Sequence, residues 1–105
     1  MKIAIASTGK TVDSKIDARF GRCSYFAFYD EESKDVEFLE NEQKNSLQGA
    51  GPATVQFVAS QNADKIVSGE FGQKVKTICD QLQIQLIIVA DSNKTVQDII
   101  NSHNK

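Results

Sequence analysis

From residue 49 onward the apolar residues change period again and again, and this alternation limits the fold more than any other feature of the chain. Gly49-Ala50-Gly51-Pro52 opens a run with Val55, Val58 and Ala59 on one helical face, and Pro52 is expected at the first helical position, where a missing N–H costs nothing. A short apolar strand follows at 65–68 and a turn at 69–72. Val75, Ile78, Cys79 and Leu82 then fall at helical spacing. Residues 84–90 are almost continuously apolar, the pattern of a strand covered on both faces. Thr95-Val96-Gln97-Asp98 reads as a capping box before a last helix that carries Ile99 and Ile100 and ends near Asn101. Strands separated by helices need crossover connections, so the strands of this half run parallel.

The first half reads differently. Residues 2–7 are a β-prone run closed by Ser7-Thr8-Gly9, and 24–30 is a strand rich in aromatics. Residues 35–41 alternate Val36 and Phe38 with Glu37, and the polar turn Glu31-Glu32-Ser33-Lys34 joins them to the preceding strand as an antiparallel hairpin. A long polar loop separates the first two strands. The order is strand, strand, strand, helix, strand, helix, strand, helix, with no internal repeat and no linker. The expectation is an α/β fold in one domain over 1–105, with a mixed five-stranded sheet flanked by three helices. A chain of 105 residues buries roughly two-thirds of its unfolded surface, enough for one core without staples.

Composition removes several classes of function. With 40% hydrophobic and 25% charged residues, and no long apolar run, membrane spanning is not expected. The apolar start Met1-Lys2-Ile3-Ala4-Ile5-Ala6-Ser7 is too short for a signal peptide, so the expected location is the cytoplasm. A net charge of −2 gives no footprint for a phosphate backbone, and nucleic acid is not an expected partner. Cys23 and Cys79 lie far apart and are expected to be reduced thiols.

Parallel right-handed crossovers would open the loops after the first, fourth and fifth strands at one edge of the sheet, where ligands of open α/β sheets bind. The start of the second strand and the loop after the third belong to the same edge. Segments 7–17, 20–24, 46–52 and 69–72 therefore converge there. Three are rich in glycine and two lead into helix N-termini, which favour an anion; as turn formers alone, the same glycines would carry no ligand.

Enzymatic chemistry finds little footing. Gly9-Lys10-Thr11 resembles the end of a P-loop, but the first glycine position is Ala4 and no helix follows. A nuclease of the ribonuclease H type needs an Asp in the first strand, and Ile3-Ala4-Ile5-Ala6 has none; Asp13 and Asp17 read as solvated or capping loop residues. His103, the one histidine, lies in a polar tail far from the edge, which leaves no base for a nucleophile. Cys79 reads as a buried small hydrophobe. Cys23 has two readings: a residue that starts a strand and packs under the loop, or, with Arg22 adjacent and Arg19 near, a low-pKa thiolate able to bind a soft metal.

The run Val12-Asp13-Ser14-Lys15-Ile16-Asp17-Ala18-Arg19-Phe20-Gly21-Arg22-Cys23-Ser24-Tyr25-Phe26 resembles the N-terminal signature of the dinitrogenase iron-molybdenum cofactor biosynthesis family. Further similarity lies in Glu40-Asn41, Gly49-Ala50-Gly51, Ala63-Asp64-Lys65-Ile66-Val67-Ser68-Gly69, Gly72 and Thr95-Val96-Gln97-Asp98-Ile99-Ile100. The resemblance implies a ribonuclease H-like three-layer fold without nuclease activity, and non-enzymatic, transient carriage of an iron-molybdenum or other metal–sulfur cluster, or its precursor, among the cofactor-assembly proteins of nitrogen fixation. The converging edge and this role together give an expected site of Arg19, Arg22, Cys23, Gln48, Gly49, Ala50, Gly51, Gly69 and Gly72, with Cys23 as metal ligand. Some members have His where this chain has Gln48, and some have Cys between the later glycines, where this chain has Glu70-Phe71. Those departures favour the alternative, a small-molecule or protein-binding regulatory module that has lost metal binding.

Overall fold

The computed structural model describes residues 1–45 and 49–103. Its elements are β1 (Lys2–Ser7), β2 (Tyr25–Asp30), β3 (Val36–Glu40), α1 (Ala50–Ser60), β4 (Lys65–Ser68), α2 (Gln73–Leu82), β5 (Gln85–Ile88) and α3 (Val96–His103). The sheet order is β3-β2-β1-β4-β5, with β1 antiparallel to β2 and parallel to β4, and β4 parallel to β5. The mixed five-stranded sheet with three helices expected from the periodicity is the observed one. No helix among the described residues is long and apolar enough to cross a membrane.

Residue parity in β1 decides what each face holds, because successive side chains of a strand point to opposite faces. Ala4 and Ala6 belong to the cluster under α1 and α2, with Val55, Val58, Val75 and Cys79. Ile3 and Ile5 belong to the opposite cluster, under α3, with Val96, Ile99 and Ile100. The small alanines leave room on the two-helix side for a run of aromatics. Phe20, Phe26, Phe28, Phe57 and Phe71 pack there with ring centroids 5.5 to 6.4 Å apart. Each such side chain stabilises by ~1.5–3 kcal/mol through the area it removes from water.

Three expectations change. Pro52 is the third residue of α1, not the first, because the helix starts at Ala50 behind Gly49. The first helical N–H groups have no acceptor one turn back, so the third position tolerates proline as well. The strand at 84–90 is shorter, Gln85–Ile88, and its two faces are only partly covered: Leu86 packs against the two-helix cluster and Ile87 against the α3 cluster, but β5 ends the sheet and Ile88 is 58% exposed. Leu82, in the last turn of α2, is also exposed. At α3 the capping box is present: Thr95 N donates to Asp98 Oδ2 at 2.9 Å and Asp98 N to Thr95 Oγ1 at 3.2 Å.

The segment between β1 and β2 is more than a polar connection. Ile16 is buried in the α3 cluster and Phe20 in the aromatic cluster, so the segment is pinned on both faces of the sheet edge. Asp17 N donates to Ala6 O and Gly69 N to Asp17 O, which laces the segment across the ends of β1 and β4. At 7% exposure Asp17 is buried, not solvated: its Oδ1 accepts from Arg19 N at 2.9 Å. A Cβ on Gly69 would stand 2.6 Å from Ala18 Cα, so this glycine is set by the close passage of two backbones. Gly69→Ala is expected to destabilise the fold by ~1–3 kcal/mol, read as a lowered denaturation midpoint with an unchanged m-value.

Candidate functional site

Register shows which loops share an edge. Ser7 pairs with Tyr25, Tyr25 with Glu40, and Ser68 with Ile88, so the ends of β1, β3, β4 and β5 and the start of β2 lie together. On the α1/α2 side of this edge is a cleft of ≈ 470 Å³, lined by Arg19 to Arg22, by Gly49 to Pro52, and by Glu70 and Lys74.

Glycine contacts shape it. A Cβ on Gly21 would lie 3.1 Å from both Cα and N of Gly51, so the arginine-bearing loop rests directly on the first turn of α1. A Cβ on Gly51 would lie 2.8 Å from Val75 Cγ2, which lets α1 approach α2 and brings Lys74 to the same cleft. Gly49, the N-cap of α1, has φ 71°, a left-handed conformation that glycine adopts without steric cost. Neither α1 nor α2 has a side-chain N-cap or an acidic residue in its first turn. Among the described residues no side chain caps the start of α1, and its positive dipole end faces the cleft through Gly49 to Pro52.

Charge at the cleft is predominantly positive. Arg19, Arg22 and Lys74 line it, against Glu70. Arg19 Nε lies 3.4 Å from Asp17 Oδ1, and Arg22 Nη1 donates to Lys44 O at 2.8 Å. The arrangement suits an anion held by charge-assisted hydrogen bonds.

A family model described as dinitrogenase iron-molybdenum cofactor matches residues 1–105. The chain belongs to this family. It is similar to the apo form of the orange protein from Desulfovibrio gigas, 25% identical, with a TM-score of 0.89 over 95% of this chain and 83% of that one. It is also similar to a putative NifB protein from Thermotoga, 30% identical, with a TM-score of 0.81 over 96% of this chain and 84% of that one. An uncharacterized protein of Methanocaldococcus jannaschii is 24% identical over 90 residues, 82% of this chain and 76% of that protein.

Of the site residues expected from the sequence, the cleft gathers Arg19, Arg22, Gly49, Ala50 and Gly51. Gly69 packs on Ala18 and Gly72 starts α2; neither lines the cleft. Gln48 lies outside the described residues. Sequence reasoning missed Lys74, whose place depends on the α1–α2 contact. It gave no role to Asn41, which is buried at 1% exposure and donates to Gly21 O at 3.2 Å and Cys23 O at 2.9 Å.

Cys23 requires a correction. Of its two readings, the accessible low-pKa thiolate fails and packing under the loop holds: the residue is fully buried in the aromatic cluster, with Sγ donating to Phe20 O at 3.2 Å. Burial, then the nearby Asp17 carboxylate, push its pKa up from 9.0 to about 12, and Asn41 opposes this only in part. Arg22 is adjacent in sequence but does not govern the thiol, because the side chains diverge to cleft and core. Cys79 is buried as expected, and burial raises its pKa too.

Neither thiol should be alkylated in the native protein near neutral pH, and both should react once the chain is unfolded. Because the folded pKa of Cys23 lies above the unfolded one, its contribution to stability is complete below pH 9.0 and is lost as pH rises towards about 12. The melting temperature of the native protein should therefore fall more steeply over that window than that of Cys23→Ala. Parallel curves for the two would contradict a buried, protonated thiol.

Proposed function

We propose that this domain binds and carries an anionic metal–sulfur cofactor of the iron-molybdenum type, or a precursor of it, and performs no catalysis on it. The observation that carries this reading is the cleft: Arg19, Arg22 and Lys74 set against the carboxylate of Glu70, at the N-terminus of α1, in a member of the iron-molybdenum cofactor family. Support comes from the orange protein, whose apo form is a structure of the same fold, and from the putative NifB protein. In this reading the domain works in the cytoplasm, exchanging its cargo with cofactor-assembly proteins. Its three-layer fold is of ribonuclease H-like type without the carboxylates of a nuclease.

The donor set favours holding by charge over coordination. Among the described residues no three His, Cys, Asp or Glu side chains are grouped to hold a metal ion, and Cys23 is covered by its own loop. A cluster that brings its own sulfides needs no protein thiolate. The backbone N–H groups at the start of α1 and the guanidinium groups supply hydrogen bonds to those sulfides, and the positive charge offsets theirs. The cargo is then released without breaking a metal–protein bond, as a carrier requires.

Anaerobic titration of the purified protein with tetrathiomolybdate, and separately with a preformed iron–sulfur cluster, tests this by visible absorption. Saturable binding near one per chain is expected for at least one of them. Arg19→Gln with Arg22→Gln should weaken it by about tenfold or more and flatten its salt dependence, and Lys74→Gln should act in the same direction. Glu70→Gln should strengthen it, and Cys23→Ala should leave it within about twofold. Loss of binding in Cys23→Ala alone would replace the charge cradle with thiolate ligation. No saturable binding by the folded protein would leave the small-molecule or protein-binding regulatory module as the better reading.

A further inference from the structure

The loop that carries Arg22 and the carbonyl that Arg22 binds belong to different parts of the chain, and one buried side chain organises both. Asn41 lies at the end of β3, where its N donates to Ser24 O at 2.9 Å and extends the β2–β3 ladder. Its Nδ2 donates to the carbonyls of Gly21 and Cys23, the two residues that flank Arg22, at 3.2 and 2.9 Å. Its Oδ1 accepts from Gln43 N at 3.1 Å, and its own carbonyl accepts from Lys44 N at 3.3 Å. These last two bonds build the turn that presents Lys44 O, and Lys44 O accepts from Arg22 Nη1 at 2.8 Å. A single amide thus fixes the backbone on both sides of Arg22 and one acceptor of its guanidinium.

A Ser, Asp or Gln could not do the same. The geometry needs two donor hydrogens on one nitrogen for two carbonyls, and an acceptor on the other atom for the turn; only an amide offers both, and Gln is a methylene too long. The site is also dry. With Asn41 at 1% exposure, an unmatched carbonyl created there would be costly, which ties the loop and the turn to one arrangement.

We propose that Asn41 is the positioning residue for Arg22: it does not touch the cargo, and it acts on binding by holding Arg22 at the cleft. The proposal rests on the cleft being the binding site, and the two can be tested apart. Tetrathiomolybdate titration of the native protein, Asn41→Ser, Arg22→Gln and the double variant forms a mutant cycle. Asn41→Ser should weaken binding about tenfold in the native background and by less than about twofold in the Arg22→Gln background, because the arginine through which it acts is gone. Equal losses in both backgrounds would show a general structural effect and overturn the proposal, as would a folded Asn41→Ser that binds normally.

A readout without cargo accompanies it. The Arg22 guanidinium 1H–15N signals should be dispersed in the native protein and collapse towards the solvent-exposed position in Asn41→Ser. Unchanged Arg22 signals in the folded variant would overturn the proposal whatever the binding result. Should the native protein bind no cluster, the cargo reading fails and these signals still decide the role of Asn41. If Asn41→Ser does not fold, Asn41→Asp replaces it. That variant keeps the acceptor for Gln43 N and turns a carboxyl oxygen, in place of the two-donor nitrogen, towards the carbonyls of Gly21 and Cys23, so the Arg22 signals should move while the turn at 41–44 persists.

Discussion

Burial of β1 on both faces is the constraint on which everything else rests. As the middle strand it pairs with β2 and β4, and from Ile3 to Ser7 no residue of it is exposed. Its alternation of Ile and Ala gives the two faces different depths. The isoleucines fill the space under the single helix α3, and the alanines leave a deeper layer that accepts two helices and five phenylalanines. Since a strand's side-chain period is two, a slip of one residue would exchange the faces and leave neither core filled.

The cleft is a product of that deeper layer. Phe20 is drawn into it from the long β1–β2 segment, and this anchoring sets Gly21 on Gly51 at the start of α1. Gly51 in turn admits Val75 and so brings α2 close. Glycines that read as possible anion cradles thus serve first as contact surfaces that let three backbones approach. Their contribution to binding is indirect: they place Arg19, Arg22, Lys74 and the N-terminus of α1 around one space.

Charge and burial separate cleanly at Arg22 and Cys23. Neighbours in sequence, they end in media of different dielectric, one at the cleft and the other wholly covered. Coulombic help from a cation falls off when the cation stays in water, while the cost of ionising a buried thiol does not. The raised pKa of Cys23 follows, and the thiol serves the loop as a donor to Phe20 O. Asn41 completes that loop from below, so the positive rim stands on a buried, uncharged and hydrogen-bonded base.

Sequence by itself determined the elements, their order and the shared edge, because period, caps and turn residues act over a few neighbouring positions. The Thr95–Asp98 capping box, the hairpin of β2 and β3 and the parallel second half were all legible in that way. The family was legible in the run from Val12 to Phe26. Tertiary structure alone decided that β5 is an edge, that Cys23 is buried, that Asp17 and Asn41 are interior polar anchors, and that Lys74 faces the arginines. Each of these depends on which surface meets a residue from a distant part of the chain. A buried Asn and an exposed one look alike in sequence; what separates them is whether carbonyls about twenty residues away, here those of Gly21 and Cys23, arrive to take its hydrogens.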